Sequence, residues 1–174
     1  GGDRVSLRAA RGAREKGCVA IMSDIDVLLV EDNPDDAEFT LRALRKANVA
    51  LRIALVEDGV KALEFVFGTG SFAQRAGAAL PRVVLLDLKL PKVDGLEVLE
   101  RLKTDPDFRS VPVVMLTSSR EERDLVRSYS LGVNAYVVKP VDFHEFVDAV
   151  KELGLFWAVI NEPPPGAARL LAPG

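Results

Sequence analysis

Three runs of four apolar residues, Val27-Leu28-Leu29-Val30, Val83-Val84-Leu85-Leu86 and Val113-Val114-Met115-Leu116, alternate along the chain with segments of helical periodicity. A strand that is apolar on both faces has to be covered on both faces, the situation of a parallel sheet sandwiched between helices. Two further runs fit the rhythm but are more polar. Leu51-Arg52-Ile53-Ala54-Leu55 carries a charge inside it, and Ala135-Tyr136-Val137-Val138 is short and partly polar, as suits the edges of a sheet. The pattern predicts an α/β fold with a doubly wound, five-stranded parallel sheet, strands two and five at its edges, and five helices; 2-1-3-4-5, a common order of doubly wound sheets, is the expected arrangement.

The helices carry their own punctuation. Asn33-Pro34 is a cap followed by proline at the first helical position; Asp35 and Asp36 complement the helix dipole, and Ala37, Leu41 and Leu44 form the inward face. Asp58 caps a second helix with Leu63 and Val66 inward. Leu96, Leu99 and Leu102 mark a third, Leu125, Val126 and Tyr129 a fourth, and Phe143, Phe146, Val147 and Val150 a fifth.

The chain of 174 residues is 48% hydrophobic and 28% charged, a composition able to bury a core. Its one cysteine, Cys18, cannot close an intramolecular disulfide, and no apolar run approaches the roughly 18 residues that a membrane span needs. A cytoplasmic protein is the expectation. The net charge of −3 gives no general attraction to nucleic acid. Residues 1–22 differ from the rest: Arg4, Arg8, Arg11, Arg14 and Lys16 outnumber Asp3 and Glu15, giving a basic, flexible segment ahead of Met22 that is either an arm or not native. Residues 23–160 form the domain, and Pro163-Pro164-Pro165-Gly166 opens a loose tail over 161–174.

The first and third strands both end in acids, Glu31-Asp32 and Asp87. In a doubly wound sheet, ligands sit in the crevice at the carboxyl ends of such strands. Three carboxylates converging there raise one another's pKa unless a cation neutralises them. Mg²⁺, an oxygen-seeking ion, suits them, whereas zinc is disfavoured by a chain with one His and one Cys. A carboxylate beside such an ion can attack a phosphoryl group, and Asp87 is the best placed. Thr117 and Lys139, at the ends of strands four and five, are a hydroxyl and a cation for the phosphoryl oxygens. Lys139 would pair with the carboxylates in the empty site. Pro140 is a candidate cis bond that would aim the ammonium inward. Taken singly, the acids read equally well as helix caps, Thr117 as a loop hydroxyl and Lys139 as a solvated side chain.

Leu29-Val30-Glu31-Asp32-Asn33, Leu86-Asp87-Leu88-Lys89-Leu90-Pro91 with Asp94-Gly95, Val114-Met115-Leu116-Thr117-Ser118 and Ala135-Tyr136-Val137-Val138-Lys139-Pro140 together resemble, in order and spacing, the response regulator receiver domains over about residues 24–155. The resemblance implies a flavodoxin-like fold and phosphorylation of Asp87 by a sensor histidine kinase. It further implies that Glu31, Asp32, Asp87 and the Lys89 carbonyl bind Mg²⁺, with Glu31 acting directly or through water, and that Thr117 and Lys139 hold the phosphoryl group. Thr117 and Tyr136 become a switch: when the hydroxyl is drawn inward, Tyr136 can move into the space beneath the fourth helix and reshape the helix 4, strand 5 and helix 5 surface. Lys89 and Ser119 border the path of attacking water in such proteins.

About 20 residues follow the fifth helix, too few for a DNA-binding domain, so the expected output is direct contact or phosphate relay. Ser118-Ser119-Arg120-Glu121-Glu122, Ser128-Tyr129 and Phe156-Trp157 are similar to stand-alone regulators that accompany bacterial phytochromes. The expected partners are therefore such a kinase or a phosphotransfer protein. The apolar helix end Leu153, Leu155, Phe156, Trp157, Val159 and Ile160 either folds back on the domain or is covered by a second copy in a homodimer. His144 reads as a surface side chain rather than a phosphoacceptor. Two other functions stay open: an Mg²⁺-dependent aspartyl phosphatase, which wants a second acid where Lys89 stands, and a degenerate receiver acting as a binding module. On the leading reading the protein is no enzyme beyond its own phosphorylation and dephosphorylation.

Overall fold

The structure is a computed structural model that describes residues 24–46, 51–118, 121–139 and six positions between 142 and 152. Five strands, β1 (Val27–Val30), β2 (Ile53–Val56), β3 (Val83–Leu86), β4 (Val113–Thr117) and β5 (Ala135–Val138), form one sheet in the order β2-β1-β3-β4-β5. Every pairing is parallel, with Val30 opposite Val56 and Leu86, and Thr117 opposite Val138. The strand order matches the expectation from the sequence. β1, β3 and β4 are buried throughout, while the edge strands β2 and β5 are only partly so.

Four helices have their bounds among the described residues: α1 (Pro34–Lys46), α2 (Gly59–Phe67), α3 (Gly95–Thr104) and α4 (Glu122–Ser130). Residues 144, 145, 148, 151 and 152 are helical too, where a fifth helix was expected. The apolar positions Phe143, Phe146, Val147 and Val150, the extension from Leu153 to Ile160, the basic segment 1–22, the proline-rich tail, Ser119 and Pro140 lie outside the described residues. A short 3-10 segment, Gly70–Arg75, follows α2 and had no counterpart in the sequence reading.

Alternation along each strand divides the core into two layers. Val27, Leu29, Val83, Leu85, Val114 and Leu116 pack with Leu41, Ala43 and Leu44 of α1 on one face. Leu28, Val30, Val84, Leu86, Val113 and Met115 pack with Leu63, Phe65 and Val66 of α2 and Leu96, Leu99 and Leu102 of α3 on the other. Fully burying one such side chain is worth about 1.5–3 kcal/mol, so helix placement follows the apolar faces.

The fourth helix lies where the sequence placed it, but its apolar stripe faces outward. Leu125, Val126 and Tyr129 are exposed, at 38%, 61% and 54% of their surface, whereas Asp124 and Ser128 are buried. The polar face can turn inward because its groups are satisfied there. The Ser128 hydroxyl donates to the Asp124 carbonyl at 2.8 Å, and the Asp124 carboxylate lies 3.8 Å from the Lys89 ammonium.

Candidate functional site

The parallel ladder runs one residue past the strand ends and so delivers the acids to one place. Asp87 N–H donates to the Val30 carbonyl at 3.0 Å, and Glu31 N–H donates to the Val56 carbonyl at 3.1 Å. Asn33 then turns the chain into α1: its side-chain oxygen accepts the Asp35 and Asp36 N–H groups, while its own N–H donates to Glu31 Oε1 at 3.1 Å. On β3 the turn is enforced by close packing. Gly95 N–H donates to the Leu88 carbonyl at 2.8 Å, and a Cβ at position 95 would lie 2.2 Å from the Asp87 carbonyl oxygen.

Glu31, Asp32 and Asp87 are thereby brought together, each offering a carboxylate oxygen within 4.8 Å of the others. Glu31 and Asp87 are buried and Asp32 is exposed, so the cluster is a pocket with one solvent-facing wall. Beside it a groove of about 420 Å³ opens between Pro34, Ala37 and Leu41 of α1 and Ile53, Leu55 and Glu57 at β2.

Lys139 enters from the far side of the sheet. Its N–H donates to the Thr117 carbonyl at 2.7 Å, which continues the β4–β5 ladder. Its ammonium donates to Glu31 Oε2 at 2.5 Å and to Asp36 Oδ2 at 3.0 Å, and lies 3.5 Å from Asp87 Oδ2. Burial alone would lower the lysine's pKa, but the bond to Glu31 and the charges of Asp87, Glu31 and Asp36 overcome it and hold the group above its ordinary value. Burial pushes the Glu31 carboxyl up to about 7; the bond from Lys139 opposes this and the charge of Asp87 adds to it. Three carboxylates, Glu31, Asp36 and Asp87, thus share one ammonium, and Asp32 stands beside them. This excess of oxygen donors and negative charge is what a hard divalent cation needs, so the donor set fits one.

Thr117 is fully buried as the last residue of β4. Tyr136 sits opposite Met115 on β5 and is half-buried against the α2 and α3 layer. The Lys89 side chain is 66% exposed and its ammonium lies near Asp124 on α4. His144 is exposed, in keeping with a surface role.

Asp36 is the site residue that sequence reasoning missed, having been read only as a partner for the helix dipole. Its position in the first turn of a helix that starts at the end of β1 was the available signal, since that turn overhangs the same crevice.

Residues 27–151 match the model of the response regulator receiver domain. The response regulator Rcp1 of Synechocystis sp. is 35% identical over 131 residues, 75% of this chain and 87% of that protein. Its Mn²⁺-bound crystal structure superposes with a TM-score of 0.72 at 34% identity, over 79% of this chain and 97% of the other. The phosphorylated cyanobacterial phytochrome response regulator RcpA gives a TM-score of 0.71 at 37% identity, covering 79% and 96%. The bacteriophytochrome response regulator AtBRR gives 0.65 at 57% identity, covering 80% and 99%. Rcp1 and the bacteriophytochrome response regulators are stand-alone receiver proteins. Parallel strand order, acid-lined crevice and matched segments converge on one conclusion: the chain belongs to the response regulator receiver family, the phosphoryl-receiving modules of two-component signalling.

Proposed function

We propose that Asp87 accepts a phosphoryl group from the phosphohistidine of a sensor kinase or phosphotransfer protein, in the presence of Mg²⁺. A carboxylate oxygen of Asp87 forms the new bond to phosphorus, the P–N bond to the donor histidine breaks, and the freed imidazole takes a proton from solvent. Asp32, Asp87, the Lys89 carbonyl and Glu31, directly or through water, are the residues that would hold the ion. When bound, the ion supplies positive charge against the phosphoryl oxygens. Lys139 exchanges its carboxylate partners for a phosphoryl oxygen, and the Thr117 hydroxyl donates to another.

The observation that carries this reading is the convergence of Glu31, Asp32 and Asp87 within 4.8 Å around an ammonium that cannot neutralise them all. The Mn²⁺-bound Rcp1 and the phosphorylated RcpA are support from relatives. Recruitment of Thr117 biases Tyr136 inward and alters the face formed by α4, β5 and the helical residues that follow, which is the output surface of a protein working in the cytoplasm. Similarity to bacteriophytochrome regulators favours a phytochrome-type kinase as donor. The exposed Leu125, Val126 and Tyr129 favour a homodimer through the same face.

Incubation with Mg²⁺ and acetyl phosphate tests the reading by mass spectrometry. One phosphoryl group per chain, not formed when Mg²⁺ is chelated beforehand and absent in Asp87→Asn, is the expected result. Steady hydrolysis without accumulation would indicate a phosphatase; no reaction would indicate a binding module.

A further inference from the structure

The loop between β3 and α3 carries one backbone outlier. Lys92 has φ +67°, the one non-glycine residue with positive φ among the described residues. Val93 N–H donates to the Pro91 carbonyl at 2.9 Å. Lys92 is therefore the centre of a γ-turn with positive φ, the rare and strained form, in which Cβ crowds the following carbonyl. Strain of this kind persists only where the surroundings hold it.

What holds it comes from α2. Asp58, the N-cap of that helix, is buried; its Oδ1 accepts the Lys61 N–H at 2.7 Å, and its Oδ2 accepts the Lys92 ammonium at 2.9 Å. The next residue, Gly59, lets the helix start abut the loop: a Cβ there would lie 1.9 Å from the Val93 carbonyl oxygen. At the other end of the loop the Gly95 N–H is bonded to the Leu88 carbonyl. The segment from Asp87 to Gly95 is thus a closed loop, rooted at the acid cluster and propped at its tip by α2.

We infer that Asp58 and Lys92 are a positioning pair: the ammonium holds the strained turn and so fixes the backbone that carries Asp87 and the Lys89 carbonyl. The inference rests on the ion-binding reading above. It assigns to Lys92, whose side chain is 61% exposed, a role in shaping a site it does not touch.

Three variants separate this role from simple stabilisation: Lys92→Ala removes the cation and keeps the strain, Lys92→Gly removes both, and Lys92→Arg keeps both. Amide hydrogen exchange is measured without metal, and Mg²⁺ affinity by calorimetry. In Lys92→Ala, exchange at Val93 and Gly95 should speed up about tenfold and Mg²⁺ should bind about tenfold more weakly, with the Leu29 and Leu85 amides unchanged. Lys92→Arg should restore both, and Lys92→Gly should lose less than Lys92→Ala. Unchanged exchange and affinity in Lys92→Ala, or an arginine that rescues neither, overturns the pair while leaving the proposed function intact. A wild-type protein that takes up no Mg²⁺ overturns both.

Discussion

The Lys139 ammonium lies 3.5 Å from the Asp87 carboxylate although β4 separates the strands that carry them. The side chain crosses that strand end because Glu31 and Asp36 hold its nitrogen on the near side of the crevice. Lys139 and Glu31 are both largely buried, with 12% and 3% of their side-chain surface exposed.

Breaking that arrangement leaves buried carboxylates without their cation. Lys139→Met should destabilise the metal-free protein by about 3 kcal/mol. Saturating Mg²⁺ should recover much of the loss, because the ion takes the place of the missing charge, and should bind more tightly than to wild type because the competing ammonium is gone. Thermal melts with EDTA and with Mg²⁺ check both statements; equal losses in the two conditions would mean that the ion does not occupy this cluster.

Gly95 sits against the Asp87 backbone with no room for a methyl group. Gly95→Ala should cost about 1–3 kcal/mol through overpacking and should slow labelling by acetyl phosphate, since the clash falls on the carbonyl of the nucleophile itself. Urea denaturation together with a labelling time course tests this. A variant that is destabilised yet labelled at the wild-type rate would show that the loop yields without moving Asp87.

Asp26 anchors the opposite end of the sheet. Burial alone would raise its pKa, but the Arg52 Nε and backbone N–H at 3.0 and 2.9 Å from Oδ2, the Nη2 at 3.1 Å from Oδ1, and the nearby Arg82 hold it below the ordinary 3.8. The folded state binds this proton more weakly than the unfolded chain. The stabilisation is therefore complete above the unfolded value and disappears as pH falls through the lower folded value. Asp26→Asn should lower stability by about 1–2 kcal/mol at pH 7 and by progressively less as pH falls below the ordinary 3.8 of the unfolded chain. Urea midpoints across that range provide the check, and a pH-independent difference would argue that shape rather than charge matters there.

The outward apolar face of α4 gives a separate test. Val126→Ser and Tyr129→Ser should change stability by no more than about 0.5 kcal/mol, as surface substitutions do. If this face joins two copies, the same changes should shift the sedimentation profile from dimer toward monomer. A large loss of stability in the monomeric range would mean instead that these side chains belong to the core of this chain.

The rhythm of apolar runs, the caps at Asn33 and Asp58, and the acids at the ends of β1 and β3 were all legible in the sequence, because each depends on near neighbours: side-chain period, a cap within three residues of its N–H, a charge directly after a strand. The same pattern put β2 and β5 at the edges, since only central strands are apolar on both faces; the full order came from the doubly wound fold that the chain resembles. The helix α4 was legible but its orientation was not, because periodicity marks an apolar stripe without saying which way it points; a satisfied Asp124 and Ser128 face inward instead. Asp36 as a partner of Lys139 and the Asp58–Lys92 prop were not legible either. Residues far apart in the chain meet there at distances set by sheet twist and helix packing, and no local pattern encodes where a long side chain will find its charge. The sequence alone thus determined which groups reach the crevice; the tertiary structure decided which of them touch, because contact depends on the packing of elements rather than on their composition.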